Sequence, residues 1–367
     1  MQTEFKIETV YKPFVKAKDS IWNIMSDVML ALIPAAAVSY LAYGSIPYSL
    51  LLLAIISAAI AEFVFASVFL KKKDTLKDGT AIVTAILLVM TVGPFTPWHV
   101  VLFGSVMAVI FGKILWGGAG NNLFNPALIG REFMTVFFPV VMTSGSIWYN
   151  KDFLNIKSFD FFGAYYDGSF SSYLDSLIYK PSGAIGEYSV LLLIFGGIFL
   201  IVRRRITWHI PFGLLVTFTV LISVFSYKEI SFSLAGVLLG TIFMATDMPS
   251  SASSNGGKLY YGAMIGLVAV ICLLNDIHFE YMSYSILLVN GFSRLINRVF
   301  MPSAWGMKPD VKKRILQPLL LTILIVLTAF IVILLHRYSL IAYLLYAYIV
   351  FIIVRFTWIT DKDLIKE

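Results

Sequence analysis

Charged residues are scarce in this chain of 367 residues: they make up 13% of the sequence, while hydrophobic residues make up 59%. Soluble domains carry about 25% charged and about 45–50% apolar residues. This composition excludes a soluble globular enzyme and a disordered protein. Together with a mean hydropathy of +0.85, it indicates a polytopic α-helical membrane protein. At about 20 residues per span, the chain has room for about ten spans.

Cysteine and histidine are also scarce. The one cysteine, Cys272, lies inside an apolar run, so the chain cannot form an internal disulfide and has no thiol cluster for zinc or iron–sulfur. The four histidines are scattered over different segments, which argues against a histidine-ligated haem. The sequence also lacks a Walker loop, a Rossmann glycine motif and the spacing of a catalytic triad. We therefore predict no metal site and no hydrolase or kinase activity.

Long apolar runs predict twelve membrane segments. They cover residues 26–43, 48–70, 79–93, 98–116, 126–141, 188–202, 209–226, 231–245, 259–274, 281–299, 317–335 and 340–358. Lys and Arg collect in alternate loops, for example at 71–77, 203–205 and 308–314, and cytoplasmic loops retain such residues. We predict that both termini are cytoplasmic. The net charge of +7 then reflects membrane topology, and we expect no nucleic-acid partner. The polar amino terminus predicts no cleavable signal peptide.

Two stretches, 79–113 and 232–275, share a pattern in which a short apolar segment and a loop precede a second apolar run. In the predicted topology the two short segments run in opposite directions, which favours two five-span copies related by an axis in the membrane plane. We predict an all-α polytopic membrane protein with about ten spans in an inverted 5+5 repeat with broken helices. Shared membrane composition is the alternative explanation of the likeness.

The repeat predicts five parts of the chain. They are a cytoplasmic amino-terminal segment (1–25), a first five-span repeat (26–141), an extracytoplasmic loop (142–187), a second five-span repeat (188–307), and a final part (308–367) with a basic linker, an extra helical hairpin and a cytoplasmic tail. In transporters of this architecture, broken helices meet near the middle of the membrane and form a ligand site there.

A loop rich in glycine and asparagine, within residues 112–127, is the most unusual stretch. Glycines allow the backbone to approach a ligand, and asparagine amides suit a neutral heteroaromatic ring such as an isoalloxazine. The alternative is a tight turn in which Asn125 caps the helix that begins at Pro126. The candidate cofactor-binding residues here are Gly117, Gly118, Asn121, Asn122 and Asn125.

Two ionisable residues lie within predicted spans. Arg131 follows the loop by one helical turn, and Glu62 lies well inside the second segment. Ionisable groups in a membrane usually face a partner or a cavity. Arg131 is a candidate contact for a phosphate or a flavin carbonyl, with a position at the membrane interface as the alternative. Glu62 is a candidate ion or proton site, or one half of a structural ion pair.

Further candidates lie at the ends of short segments. Asp78 is expected to cap the third segment. Thr246 and Asp247 end the eighth segment before a Ser-rich loop, which is either a polar ligand site or a solvated turn. Small residues just before the sixth segment leave room for an anion at a helix amino terminus. The candidates there are Ser182, Gly183 and Ser189.

Together these motifs resemble a family of membrane subunits that includes the D subunit of Rnf-type electron transport complexes and the B subunit of sodium-pumping NADH:quinone reductases. The matching strings are Asp78-Gly79-Thr80, Gly112-Lys113 followed by Gly117-Gly118-x-Gly120-x-Asn122-x-x-Asn125-Pro126-Ala127, Phe243-Met244-Ala245-Thr246-Asp247, Gly257-Lys258 and Leu287-Leu288-Val289-Asn290 before Pro302 and Gly306. The likeness covers roughly 20–307. The Rnf D type is favoured because the longer amino-terminal extension of the other branch is missing.

The resemblance implies a bacterial inner-membrane subunit that works with the other membrane and peripheral subunits of an Rnf-type complex and is not catalytic alone. It implies bound flavin that passes electrons across the membrane, coupled to sodium or proton movement. It further implies FMN esterified to a Thr in the outer loop, with riboflavin as a candidate second flavin. The family motif places that Thr after Ser-Gly-Ala or after Gly-Glu. In this sequence those two positions are Ile185 and Tyr188, so the nearby Ser182 or Ser189 are the candidate anchors.

Two other functions are compatible with the sequence. An inverted repeat with broken helices is also the architecture of channels and secondary transporters for small polar solutes. Solute uptake by the isolated chain would favour that function. A scaffold that has lost its cofactor is the third possibility, and the missing Thr is its main support.

Overall fold

The computed structural model describes residues 19–72, 74–156, 161, 169–225, 230–302 and 311–364. These residues form helices, turns and loops without a strand, which confirms the all-α prediction. Most of the predicted amino-terminal segment, the start of the basic linker and the end of the tail lie outside the described residues.

Helices account for all twelve predicted segments. Their bounds are α1 Ile21–Tyr43, α2 Ser45–Phe69, α3 Thr80–Met90, α4 Trp98–Gly112, α5 Pro126–Phe137, α6 Pro139–Met142, α7 Ser169–Ile178, α8 Val190–Val202, α9 His209–Val224, α10 Leu234–Leu239, α11 Asn255–Leu274, α12 Tyr281–Val299, α13 Val311–Arg337 and α14 Ile341–Leu364. A π-helical turn, Gly240–Met244, continues α10. The fifth segment contains both α5 and nearly all of α6, and the sequence did not predict α7, which lies between the fifth and sixth segments.

Six helices are long and apolar enough to cross a membrane: α1, α2, α4 with the turn after it, α11, α13 and α14. Four more apolar helices are shorter, namely α3, α8, α9 and α10 with its π turn. Large apolar side chains such as Leu52 (61% exposed) and Phe195 (61% exposed) lie on the outside of the bundle, where a bilayer would cover them. The protein is therefore a polytopic membrane protein, while the ten-span count stays a prediction.

Helices from the two predicted halves pack in a corresponding order. In the first half α4 contacts α2 and α5, and in the second half α11 contacts α9 and α12. The halves also meet through α1 and α8. This order is what an inverted repeat predicts, although the repeat itself stays a prediction.

Glycines bring the paired helices close together. A Cβ on Gly130 in α5 would lie 2.6 Å from the Cβ of Ala108 in α4. A Cβ on Gly262 in α11 would lie 2.3 Å from the carbonyl oxygen of Ile210 in α9. Within a membrane, helices associate through such backbone contacts because lipid tails are as apolar as the helices themselves. The glycines thus set the spacing of the bundle.

Asn125 is the cap of α5 as predicted, whereas Gly79 takes the cap position of α3 and Asp78, one residue earlier, bonds to its first turn. Asp78 Oδ1 accepts hydrogen bonds from the Thr80 backbone N–H at 2.8 Å and from the Thr80 hydroxyl at 2.6 Å. Asn125 Oδ1 accepts from the backbone N–H groups of Ala127 and Leu128 at 3.0 and 3.3 Å. These bonds satisfy amide groups that a helix leaves open at its first turn.

The hairpin α13–α14 packs against helices of both predicted halves of the bundle. Helix α13 packs against α11 and α12, and α14 packs against α5 and the turn after α4. In that turn Trp116 Nε1 donates to the Tyr348 hydroxyl at 3.0 Å, and this hydroxyl donates to the Phe111 carbonyl at 2.8 Å. The Arg355 guanidinium lies 4.4 Å from the Trp116 ring centroid. Helix α14 is therefore fixed to the bundle by polar as well as apolar contacts.

Candidate functional site

The glycine- and asparagine-rich loop and the end of the π turn meet at a cavity of about 300 Å³, here called the asparagine cavity. Apolar side chains of α1, α3 and the π turn form much of its wall. Its polar wall consists mainly of Thr80, Lys113, Asn122, Asn125, Thr246 and Asp247. The fold thus brings together four of the candidate residues taken from two distant motifs, and Gly120 completes the rim.

Asn122 and Asp247 join the two motifs directly. Asn122 is buried and donates one amide hydrogen to Asp247 Oδ2 at 3.1 Å and another to the Phe124 carbonyl at 3.1 Å. Its own carbonyl oxygen is left to accept a hydrogen bond. Asp247 Oδ2 also accepts from the Ser250 hydroxyl at 2.8 Å. Desolvation raises the pKa of the half-buried Asp247, and its hydrogen bonds with Ser250 and Asn122 offset part of that rise.

The other loop candidates shape the turn. Asn125 caps α5 and donates to the Met244 carbonyl at 3.1 Å, so both ends of its amide are used. Asn121 is exposed and donates to the Gly117 carbonyl at 3.2 Å, outside the cavity wall. Gly117 and Gly118 have φ values of +108° and +96°, which residues other than glycine rarely adopt. The capped turn is therefore the role that these residues fill locally.

Lys113, which the sequence analysis did not single out as a site residue, supplies a buried cation beside the cavity. Its Nζ donates to Glu62 Oε1 at 2.5 Å and to the Thr80 hydroxyl, and Asp78 Oδ1 lies 3.6 Å away. The Lys113 and Glu62 side chains are 4% and 1% exposed. Glu62 is thus one half of an ion pair, the second of its two interpretations. The Glu62 carboxylate inside a predicted span was the sequence feature that could have indicated a nearby cation.

A second cavity, of about 320 Å³, surrounds Arg131 and is here called the arginine cavity. Arg131 donates to the Thr91 carbonyl at 2.6 Å and to the Phe279 carbonyl at 2.9 Å. Its Nε has no hydrogen-bond partner, and it forms no ion pair with a carboxylate of the described residues. Arg131 is 8% exposed, so its guanidinium is buried within the protein.

Glu187 lies in the same cavity and was not predicted as a site residue. A Cβ on Gly183 would lie 2.9 Å from Glu187 Oε2, and one on Gly236 would lie 2.9 Å from Oε1. Gly183 also has a φ of +93°. The two glycines therefore make the space that the carboxyl group occupies. Trp148 and Phe279 stack at 5.8 Å between ring centroids and add an aromatic wall.

Comparison with known proteins gives the family. The model of the NQR2, RnfD, RnfE family matches residues 8–306. The chain belongs to this family. This confirms the resemblance derived from the motifs, and the match ends before α13, so the hairpin lies outside it.

Several D subunits of ion-translocating complexes are similar to this NQR2, RnfD, RnfE family member. The D subunit of the Na⁺-translocating ferredoxin:NAD⁺ oxidoreductase complex of Acetobacterium woodii is 34% identical over 307 residues, which are 83% of this chain and 96% of that protein. The D subunit of the proton-translocating ferredoxin:NAD⁺ oxidoreductase complex of Clostridium ljungdahlii is 30% identical over 313 residues, 80% and 94% of the two chains. The D subunit of the ion-translocating oxidoreductase complex of Halorhodospira halophila is 30% identical over 344 residues, 82% and 95% of the two chains.

The two candidate anchors of this family member differ in their surroundings. Ser189 is 2% exposed, and its hydroxyl accepts from the Leu192 backbone N–H at 3.3 Å, so it caps α8. Ser182 is exposed and precedes Gly183 at the arginine cavity. Ile185 and Tyr188, where the alignments place the flavin-bearing Thr, are buried in the protein. Ser182 is therefore the accessible hydroxyl of this segment.

Proposed function

We propose that this chain is the membrane D subunit of an Rnf-type ion-translocating electron transport complex and that it carries electrons through two bound flavins. Family membership and the functions for which the relatives are named support the subunit role, and with it partner subunits in the membrane. Relatives named for sodium and for protons are similarly close to this chain. The coupling ion is therefore left as either of the two.

One observation carries the two-flavin proposal: the asparagine cavity and the arginine cavity are adjacent and are lined by successive residues of the same elements. Ala127 and Phe243 line the asparagine cavity, while the next residues, Leu128 and Met244, line the arginine cavity. Thr80 and Thr91, at the two ends of α3, also line one cavity each, roughly 16 Å apart along the helix. A redox group in each cavity would be separated only by the π turn and the start of α5.

The asparagine cavity suits a flavin without phosphate. Its volume is at the lower end of the range of about 300–1,000 Å³ for ligand sites. Among the described residues of its wall, both cations are already paired: Lys113 with Glu62, and Arg205 with Asp27 at 2.6 Å. Amide and hydroxyl groups remain for a neutral ring, and riboflavin is the candidate.

The arginine cavity suits FMN. The buried Arg131 has an unpartnered Nε and can take a phosphate oxygen or a flavin carbonyl. The exposed Ser182 hydroxyl next to Gly183 is the candidate anchor for a phosphoester. A bound flavin supplies one- and two-electron transfer, while the protein supplies position and charge. Arg131 and Glu187 would hold the ring system and fix the charge around it.

The proposal also includes topology. The family suggests a bacterial inner membrane, the distribution of Lys and Arg favours both termini on its cytoplasmic side, and the inverted repeat suggests the five parts of the chain set out above.

Fluorescence of the denatured protein in a gel, followed by peptide mapping of 142–189, tests the flavins. We expect a fluorescent peptide that Ser182→Ala removes and the matched variant Ser189→Ala keeps. Acid extraction should release a second, non-covalent flavin, and Asn122→Leu should reduce it. A non-fluorescent band together with two extractable flavins would reject only the covalent attachment. An intact complex with no flavin on this chain would reject the proposed electron-transfer function.

A further inference from the structure

A third cavity lies between the bundle and the hairpin, outside both candidate flavin sites. It has a volume of about 470 Å³ and is here called the hairpin cavity. Helices α5 and α12 form one wall, and α13 and α14 form the other. Because the family match ends at residue 306, the second wall is specific to the added part of this chain.

The lining of the hairpin cavity is almost entirely apolar. Ile129, Leu287, Val332, Leu345 and Phe351 are typical of it. No cationic side chain occurs among the described residues that form its wall. A phosphate or another anion therefore has no counter-charge there. Dissolved polar solutes have little to bind, whereas an acyl chain finds van der Waals contacts along this wall.

Glu132 is the exception to this lining. It is 6% exposed and contributes to the cavity wall. Its Oε1 accepts from the Ser283 hydroxyl at 2.6 Å, but its Oε2 is buried without a partner among the residues that the structure describes. A buried polar atom left unsatisfied has lost its bonds to water without replacement, which destabilises the protein. An occupant with a hydrogen-bond donor would remove this cost.

The outer faces of the hairpin helices are apolar and exposed. Only 22% and 11% of the most apolar stretches of α13 and α14 are buried, so a bilayer would cover the rest and would supply an apolar occupant. Gly291 of α12 also lines the cavity, and a Cβ there would lie at an ordinary contact distance of 3.7 Å from Phe124.

We propose that the hairpin cavity binds a neutral glycerolipid of the diacylglycerol class, with an acyl chain along α12 and α14 and a glycerol hydroxyl donating to Glu132. The apolar wall accounts for the chain, the absence of cations among its described residues for the uncharged head, and the unpartnered Oε2 for the hydroxyl. This lipid site does not depend on the flavins, because none of the residues that form it is used to bind them.

Photo-crosslinking of the full chain in its complex tests this binding. The probes are a diacylglycerol with a diazirine in one acyl chain and, for comparison, a phosphatidylglycerol with the same chain. Both are added to detergent-solubilised complex and mapped by peptide mass spectrometry. We expect diacylglycerol to label peptides of 281–299 and 341–358, and phosphatidylglycerol to label them much less.

Four variants separate this site from lipid on the outer surface. Gly291→Leu fills the cavity and should abolish the labelling. Glu132→Leu should reduce it at least about tenfold, as the loss of a hydrogen bond to a charged group implies, while Glu132→Gln should keep most of it. Val350→Leu is the matched control, because Val350 is 62% exposed on α14 and lies outside the cavity wall.

Equal labelling of wild type and Gly291→Leu, or equal labelling by both probes, would overturn the proposal in favour of unspecific lipid contact. So would the finding that a ring compound, such as a prenylated quinone, copurifies at one molecule per chain in place of a glycerolipid. If Glu132→Leu fails to fold, Gly291→Leu and the comparison of the two probes still decide the matter.

Discussion

The ion pair between Lys113 and Glu62 allows a quantitative test of how the asparagine cavity is supported. Both side chains are almost fully buried and 2.5 Å apart. Lys113→Met removes the cation and leaves the Glu62 carboxylate without compensation. Breaking a buried pair in this way costs about 3–5 kcal/mol, whereas replacing both partners by apolar residues is often neutral. We therefore expect Lys113→Met to be strongly destabilised and Lys113→Met/Glu62→Leu to recover most of the loss.

The measurement is a double-mutant cycle of unfolding free energies in one detergent, from Lys113→Met, Glu62→Leu and the double variant. Lys77→Met is the matched control. Lys77 lies 2.6 Å from Asp74, but both side chains are 80% exposed, and such surface pairs contribute about 0–1 kcal/mol. Burial, not distance, should therefore separate the two lysines.

Two results would refute this reasoning. Lys113→Met could prove as stable as Lys77→Met, which would mean that water reaches Glu62. Alternatively, the double variant could be as unstable as Lys113→Met alone, which would mean that the Thr80 contact of Lys113, and not the charge pair, dominates.

Two further predictions concern the packing and the charge of the bundle. Gly130→Ala should destabilise the protein by about 1–3 kcal/mol, since its Cβ would lie 2.6 Å from Ala108, whereas Gly145→Ala, with nothing within 4 Å, should be neutral; equal melting temperatures would contradict this. The hydrogen bond from Arg205 to Asp19 lowers the pKa of this carboxyl below 3.8, so the stability that Asp19 contributes is present above that pH and is lost as the pH falls through the lowered value. The melting temperature, measured from neutral to acid pH, should show this loss in the wild type but not in Asp19→Asn. An equal decrease at acid pH in both proteins would contradict a role of Asp19.

Hydropathy alone predicted most of the helices. All twelve apolar runs correspond to helices because backbone polar groups in a membrane must be satisfied within the segment. The helix starts at Asp78 and Asn125 were readable for a similar reason, since they involve neighbours in the chain. The short helix α7 was missed, because its 10 residues are too few for a membrane-length hydropathy signal.

The candidate site was only partly predictable. Asn122, Thr246 and Asp247 do line one cavity, but nothing local indicated that Asn122 and Asp247, 125 positions apart, form a hydrogen bond. Arg131 was selected for its rarity within a span, yet its position in a second cavity depends on carbonyl groups of two other segments. The roles of Lys113 and Glu187 depend on such distant partners too.

The sequence by itself determined that this chain is a polytopic helical membrane protein, where its helices lie, and which family it belongs to. These properties follow from hydropathy, capping and motif order, which act over a few residues at a time. Only the tertiary structure decided that six of the candidate residues line two separate cavities, that Glu62 is paired, and that the hairpin encloses a third cavity with Glu132 at its wall. Those facts depend on helix packing, and short-range signals do not specify which distant segments meet.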